Sequence, residues 1–342
     1  MLTVNEHKKF TANADIEAEK LLEKVLSEIK ETLSGTGLSV FLGGSYGRGD
    51  GGVRIDRENG ILYNDLDFFV FARRKTADAE SLLKKIAEKY EHELKVDVDF
   101  SRIMTVKDIK NNASRLMMQE LKRGYHHVCG EDLIEKYLIE LPADKLPFSE
   151  ACRLLLNRGM GLLLAGEKIS ENSDDTDFIL RNIYKAVLGT VDAMLITDGN
   201  YRWKISERLE FIEKSDMPES QKILYREAVD FKRSPHRQRK QDMISFLHEV
   251  RTLLKTAILH CAGEYENLRD GIFNKCCQNG EISVKNYIKY CIKSRTLPLT
   301  DWKYYTIPTA ALLLQDIYES SNNIPDRIDK QSKLYRHWLI FN

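Results

Sequence analysis

A glycine-rich turn that directly follows an apolar strand is the feature that most constrains how this chain folds. Leu38–Leu42 is an apolar run of strand length, and glycines follow it at positions 43, 44, 47 and 49. Glycine adopts backbone conformations that are closed to other residues. Backbone amides and the Ser45 hydroxyl can therefore converge on the oxygens of a phosphate group. The sequence predicts a strand that leads into a phosphate-binding turn.

A second apolar strand pattern carries two carboxylates on one face. Side chains alternate along a strand, so Asp65 and Asp67 point the same way, while Leu66 and Phe68 point into a core. Two hard oxygen ligands bind Mg²⁺ weakly by themselves and well when triphosphate oxygens complete the coordination. The pair therefore favours metal-assisted phosphoryl or nucleotidyl transfer.

A third acidic strand follows a predicted helix. Residues 94–100 alternate strongly, and Asp97 and Asp99 share one face of that strand. The helical pattern over residues 77–90 can return the chain so that this strand pairs beside the strand of Asp65 and Asp67. Either Asp97 or Asp99 can supply a third carboxylate.

In this order, the motifs resemble those of the DNA polymerase β-like nucleotidyltransferase superfamily, in its minimal and antibiotic-modifying branches. Gly44-Ser45, the Asp-x-Asp strand and the later acidic strand match over roughly residues 14–130. Two departures stand out. The long spacing from Ser45 to Asp65 predicts an inserted hairpin around residues 50–63, and the third strand offers two Asp where the family needs one. The apolar residues that flank Asp97 favour it over Asp99.

The resemblance implies an α+β fold, with a polymerase β-like catalytic domain built on a mixed sheet with flanking helices. It also implies Mg²⁺ or Mn²⁺ as cofactor and an NTP, ATP first, as substrate. Asp65, Asp67 and Asp97 would hold the metal, and these three with Asp99 form the predicted catalytic set.

Three residues of the turn receive binding roles from the same resemblance. Gly44 and Ser45 would hold the β- and γ-phosphates, and Arg48 would neutralise charge on the leaving pyrophosphate. A competing glycine pattern, Gly47-x-Gly49-x-x-Gly52, matches the dinucleotide-binding fingerprint. That fingerprint requires a helix directly after the turn. No helical pattern begins there, so this alternative is excluded.

The second half of the chain reads as helices. Pro142 and Pro147 flank a short linker, and helical spacing then recurs over residues 149–165, 177–197, 219–231, 241–261, 283–294 and 308–320. The sequence predicts a catalytic domain over residues 1–140 and an α-helical bundle domain over residues 148–342. Lys185 and Tyr201 are the predicted nucleotide contacts from this second domain, through a cation and an aromatic ring.

Charge and hydropathy narrow the choice of acceptor and compartment. Lys+Arg and Asp+Glu are each 52, so the formal net charge is zero. Without a global basic field, a small-molecule or protein acceptor is favoured over nucleic acid; the basic run over residues 232–240 is the local exception. No apolar run has the length of a membrane span. We expect a cytoplasmic protein without a membrane partner, and the oligomeric state stays open.

The sequence favours transfer of a nucleoside monophosphate from an NTP to an acceptor hydroxyl, with release of pyrophosphate. Two alternatives stay open. One is a protein-AMPylating enzyme of the antitoxin type. The other is a catalytically inactive nucleotide-binding or scaffold protein, against which the intact acidic positions argue.

Overall fold

The computed structural model describes residues 9–55, 61–73, 77–238, 242–321 and 333–341. The chain divides into two compact units. The first comprises Met1–Leu141 together with Asp230–His236, and the second comprises Pro142–Val229 and Arg237–Asn342. The break after Leu141 lies at the predicted linker. Segment 230–236 belongs to the first unit. The predicted division into residues 1–140 and 148–342 does not include this segment in the first domain.

In the described part of the first unit, four strands form the sheet. They are β1 (Leu38–Leu42), β2 (Leu66–Ala72), β3 (Val98–Phe100) and β4 (His126–Cys129), in the spatial order β3-β2-β1-β4. β1 is antiparallel to both β2 and β4, whereas β3 is parallel to β2. A parallel pair needs a crossover connection. The helix Ala77–Leu94 provides it, as the sequence predicts.

Six helices accompany this sheet: α1 (Ile16–Thr32), α2 (Gly44–Gly47), α3 (Ala77–Leu94), α4 (Val106–Asn111), α5 (Leu116–Arg123) and α6 (Leu133–Tyr137). Asp15 caps α1 by accepting a hydrogen bond from the Ala18 amide. The helical pattern over residues 105–121 predicts one helix there. This prediction is wrong, because the chain forms α4 and α5. The Asn112 side chain donates to the Asp108 carbonyl at 2.8 Å, where α4 ends.

Strand alternation gives the sheet two apolar faces. One face places Val40, Leu66 and Phe68 in a buried cluster with residues of α1 and α3. The other places Phe41 and Phe71 in a second cluster with residues of α4, α5 and α6. Because both faces of the sheet are covered, the sequences of β1 and β2 are nearly continuous apolar runs. Asp65 and Asp67 interrupt that pattern at the start of β2.

The regular secondary structure described in the second unit is all helical. Its helices are α7 (Phe148–Ser170), α8 (Thr176–Thr197), α9 (Ile205–Glu213), α10 (Glu219–Arg233), α11 (Met243–Ala262), α12 (Leu268–Gln278), α13 (Val284–Ser294), α14 (Thr309–Leu312), α15 (Leu314–Ser320) and α16 (Lys333–Phe341). Segment 230–233, the end of α10, belongs to the first unit. α7, α8 and α11 pack on one another. Across the described parts of the chain, every helix is too short or too polar to cross a membrane.

Candidate functional site

The glycine turn after β1 lies directly against the first residues of β2. The Gly43 amide donates a hydrogen bond to the Asp67 carbonyl at 2.8 Å. Gly44 has φ +60°, and a Cβ built on it would overlap the Asp67 carboxylate. Any other residue at position 44 would be strained and would displace that carboxylate. The fold therefore brings the backbone of the turn next to one of the two predicted metal ligands.

The register of the parallel strands brings the acidic residues to one end of the sheet. Asp67 lies opposite Asp99, and Leu66 lies opposite Val98. The Leu66 amide donates to the Asp97 carbonyl at 2.9 Å, which continues the pairing towards Asp65. Residues in register on neighbouring strands share a face, and strands lie about 4.8 Å apart. Asp99, rather than the favoured Asp97, is thus the direct neighbour of Asp67.

The carboxylates influence one another electrostatically. Desolvation raises the pKa of the Asp99 carboxyl, and the negative charges of Asp65, Asp97 and Glu91 raise it further. A carboxyl beside other carboxylates holds its proton more tightly, and such groups gather at functional sites. A cation bound here would relieve the repulsion.

The donors are chemically suited to a hard divalent cation, but they do not form a finished metal site. Among the residues that the structure describes, no three or more His, Cys, Asp or Glu side chains are gathered as a metal would need. Asp65 and Asp67 together with nucleotide oxygens fit the predicted Mg²⁺ or Mn²⁺ in donor type. Phosphate oxygens would have to complete the coordination.

Ser45 and Arg48 occupy different surroundings in the turn. Ser45 is half-buried, and its carbonyl accepts a hydrogen bond from the Asp50 amide at 2.9 Å. Arg48 donates to the Glu120 carboxylate at 3.1 Å. Its side chain also packs where a Cβ on Gly124 would sit. To neutralise pyrophosphate as predicted, the Arg48 guanidinium would have to break its hydrogen bond with Glu120 or bind both groups at once.

Tyr46 is a positioning residue that the sequence does not reveal. Its buried hydroxyl donates to the Gly52 carbonyl at 2.9 Å and accepts from the amides of Tyr63 and Asn64 at 3.0 and 3.3 Å. Burial raises the pKa of this phenol far above its ordinary value. Tyr46 thereby fixes the chain immediately before Asp65. The only sequence signal was a large ring inside a glycine turn.

The long spacing between Ser45 and Asp65 accommodates an antiparallel connection. Val53 forms a bridge with Leu62, and the Arg54 amide donates to the Ile61 carbonyl at 3.0 Å. These contacts agree with the predicted hairpin. Its tip, residues 56–60, lies outside the described residues.

Part of the predicted basic run belongs to this same unit. Phe231 packs edge-on against Tyr63 with ring centroids 5.8 Å apart. The Lys232 ammonium lies 3.8 Å from the Asp50 carboxylate. This lysine is therefore half of an ion pair near the glycine turn. The run continues into residues 239 and 240, which lie outside the described part of the chain.

The two predicted contacts from the helical half, Lys185 and Tyr201, both belong to the second unit. Tyr201 is only 1% exposed, and its hydroxyl accepts a hydrogen bond from Arg208 at 3.0 Å. Its ring lies edge-on to Trp203 at 5.3 Å. The Tyr201 ring is thus buried, and its contact with a nucleotide stays a prediction. Lys185 lies half-buried on α8 and stays a prediction.

Comparison of the chain with models of protein families found no match. Neither the curated proteins nor the solved structures contained a match.

Proposed function

We propose that this protein is a metal-dependent nucleotidyltransferase that moves a nucleoside monophosphate from an NTP, ATP first, to a hydroxyl of a small-molecule or protein acceptor. The observation that carries the proposal is the approach of the Gly44 backbone to the Asp67 carboxylate. A triphosphate bound by the turn would meet a cation held by Asp67. That proximity is what nucleotidyl transfer requires.

Asp65 and Asp67 would hold Mg²⁺ or Mn²⁺ together with phosphate oxygens of the NTP. The bound metal supplies neutralisation of the triphosphate and lowers the pKa of the attacking hydroxyl. The register of β2 and β3 favours Asp99 as the third carboxylate, because it pairs directly with Asp67. Asp97, one step outside β3, is the alternative third ligand.

The chain's own groups would bind the triphosphate and move the proton. Amides of the turn and the Ser45 hydroxyl would donate to the β- and γ-phosphates. Asp99, which lies in register with Asp67, would accept the proton of the acceptor hydroxyl. The hydroxyl oxygen bonds to the α-phosphorus while the bond from that phosphorus to the bridging oxygen breaks. Pyrophosphate leaves with those electrons.

Calorimetry of ATP binding tests the proposal without knowledge of the acceptor. Wild type should bind ATP with Mg²⁺ and lose most of that affinity in chelator. Asp67→Asn should weaken metal-dependent binding about tenfold or more, since a charged ligand is lost. Asp216→Asn, an exposed carboxylate of the second unit, is the matched control and should bind like wild type. Equal ATP affinity with and without metal would contradict the proposal.

Turnover with an acceptor would separate the two alternatives for the third carboxylate. Loss of one charge-stabilising group at a reacting centre costs about 10²-fold or more in rate. Asp99→Asn should reach that loss, and Asp97→Asn should cost less. The reverse order would restore Asp97 as the third carboxylate. Transfer of label from α-labelled NTP to a purified acceptor provides the measurement.

A further inference from the structure

A groove of about 560 Å³ lies on the first unit, between α3 and the segment that runs from β3 to Ile103. Leu83 and Ala87 of α3 form its apolar part together with Val98 and Phe100 of β3. The Phe100 ring is supported from behind by Phe68, at 4.7 Å between nearly parallel rings. Sites of roughly 300–1,000 Å³ are typical of bound ligands. The groove shares Asp99 with the acidic cluster beside the glycine turn.

One wall of this groove is the outer edge of the sheet. β3 is the last strand in the described sheet, and β2 is its one strand neighbour there. Asp97 and Ser101 hydrogen bond with β2 through their carbonyl and amide, respectively. Backbone groups of successive strand residues alternate sides. The amides and carbonyls of Val98 and Phe100 therefore point away from β2, the direction from which another strand would add.

The rim of the groove is acidic. Glu80, Glu88, Glu91 and Asp99 line it, against two cations. Those cations already face carboxylates, since Lys84 lies 3.7 Å from Glu88 and Arg102 lies 3.5 Å from Asp108. The Glu91 carboxylate accepts a hydrogen bond from the Val98 amide at 3.4 Å, so negative charge reaches the strand edge. An added strand would have to replace this bond. Basic groups are the complement of this rim.

We propose that this groove binds an extended peptide segment of a partner protein, which adds to β3 as a further strand. Addition of a strand to an exposed edge beside a helix is an established mode of peptide recognition. Side chains of the added strand would alternate. Those beside Val98 and Phe100 would be apolar, and those on the face of Asp99 would be basic.

The occupant is a partner rather than a second copy of this chain. Two β3 edges placed together would oppose the acidic rims of both copies. Like charges directly opposite one another destabilise strand pairs. A peptide with alternating basic and apolar residues can pair with the strand edge, pack on the apolar floor and meet the acidic rim with opposite charge. Asp99 also belongs to the proposed nucleotidyl-transfer site, whereas Glu80, Glu88 and the edge of β3 do not.

Fluorescence polarisation with the labelled heptapeptide Lys-Val-Lys-Val-Lys-Val-Lys tests the proposal on the full chain. Two control peptides share its charge: one has the four Lys and three Val in separate blocks, and the other carries N-methyl groups on alternate amides. The alternating peptide should bind at least tenfold more tightly than either control. Equal binding of all three would show charge attraction alone and would overturn the proposal, as would no binding.

Protein variants locate the binding. Glu80→Lys with Glu88→Lys should weaken it about tenfold, and Ala87→Trp should abolish it by filling the groove. Glu23→Lys with Glu31→Lys, an equal charge change on exposed positions of α1, should leave affinity unchanged. Groove variants that keep the wild-type melting temperature and still bind the peptide with wild-type affinity would overturn the assignment. If the wild type is a dimer and Ala87→Trp is a monomer, the occupant is a second copy of this chain, and the proposal of a partner peptide is overturned.

Discussion

At the scale of single residues, Gly44 joins backbone conformation to the chemistry of the site. Its φ of +60° lies in the left-handed region, and a Cβ there would overlap the Asp67 carboxylate. Left-handed backbone costs a non-glycine residue of order 1 kcal/mol. The overlap with the Asp67 carboxylate is particular to this position, because that carboxylate is a predicted metal ligand. One substitution thus probes both effects.

We predict that Gly44→Ala lowers both the free energy of unfolding and metal-dependent ATP affinity. Gly35→Ala is the matched control, because Gly35 has φ +78° and its Cβ would meet nothing within 4 Å. Both variants pay for the left-handed backbone, about 1 kcal/mol. Only Gly44→Ala should also weaken ATP binding, about tenfold or more, because it moves Asp67. Thermal unfolding and calorimetry measure the two effects. Equal ATP affinity in the two variants would contradict a binding role for the turn.

At the scale of elements, an ion pair links the end of α8 to the last turn of α11. His260 Nε2 lies 2.8 Å from the Asp198 carboxylate, and Asp198 is the residue at which α8 ends. This contact raises the pKa of His260, although partial burial opposes the shift. A protonated histidine near a helix C-terminus is also favoured by the helix dipole. The pair therefore makes the second unit sensitive to pH.

We predict that His260→Gln reduces stability more at about pH 5.5 than at about pH 8.5. The folded pKa is raised above the unfolded value of about 6.5, so folding binds the proton. The stabilisation is fully present below about pH 6.5 and is lost as pH rises through the folded pKa. Both side chains are 42% exposed, so the effect should be modest. His248→Gln, at an exposed position of the same helix, is the control. Chemical unfolding at both pH values provides the measurement.

Elements that depend on local pattern could be predicted from the sequence. β1 has the predicted bounds, and long helices such as α8 begin and end within a few residues of their predicted limits. Periodicity marks such segments because it records which face is buried. The break between α4 and α5 was missed, because a side-chain hydrogen bond from Asn112 overrides an apolar pattern that continues.

Contacts between distant parts of the chain explain what the sequence could not predict in the site. The pairing of Asp67 with Asp99 is set by the register of two strands, and flanking apolar residues at Asp97 carry no information about register. The hydrogen bonds of the Tyr46 hydroxyl involve residues up to 18 positions away. Motifs indicated which residue types take part, but not which neighbours surround them.

At the scale of the whole molecule, the first unit is discontinuous in sequence. Segment 230–236 supplies Phe231, which is 5% exposed and packs on Tyr63. The Pro235 carbonyl accepts a hydrogen bond from the Ile55 amide at 3.2 Å. Burial of one aromatic side chain contributes about 1.5–3 kcal/mol. The stability of the unit that holds the carboxylates therefore depends on a segment that begins 89 residues after Leu141.

We predict that a fragment of residues 9–141 is less stable than the same unit in the full chain, and that a synthetic peptide of residues 228–238 restores part of the difference. A ligand that binds only the folded state stabilises it by mass action, about 2.7 kcal/mol at 100 times its dissociation constant. The melting temperature of the fragment should therefore rise as peptide is added. A peptide with Phe231→Ala should raise it less, because the ring that packs on Tyr63 is absent. A fragment that melts like the full chain and ignores both peptides would mean that segment 230–236 contributes nothing to the stability of this unit.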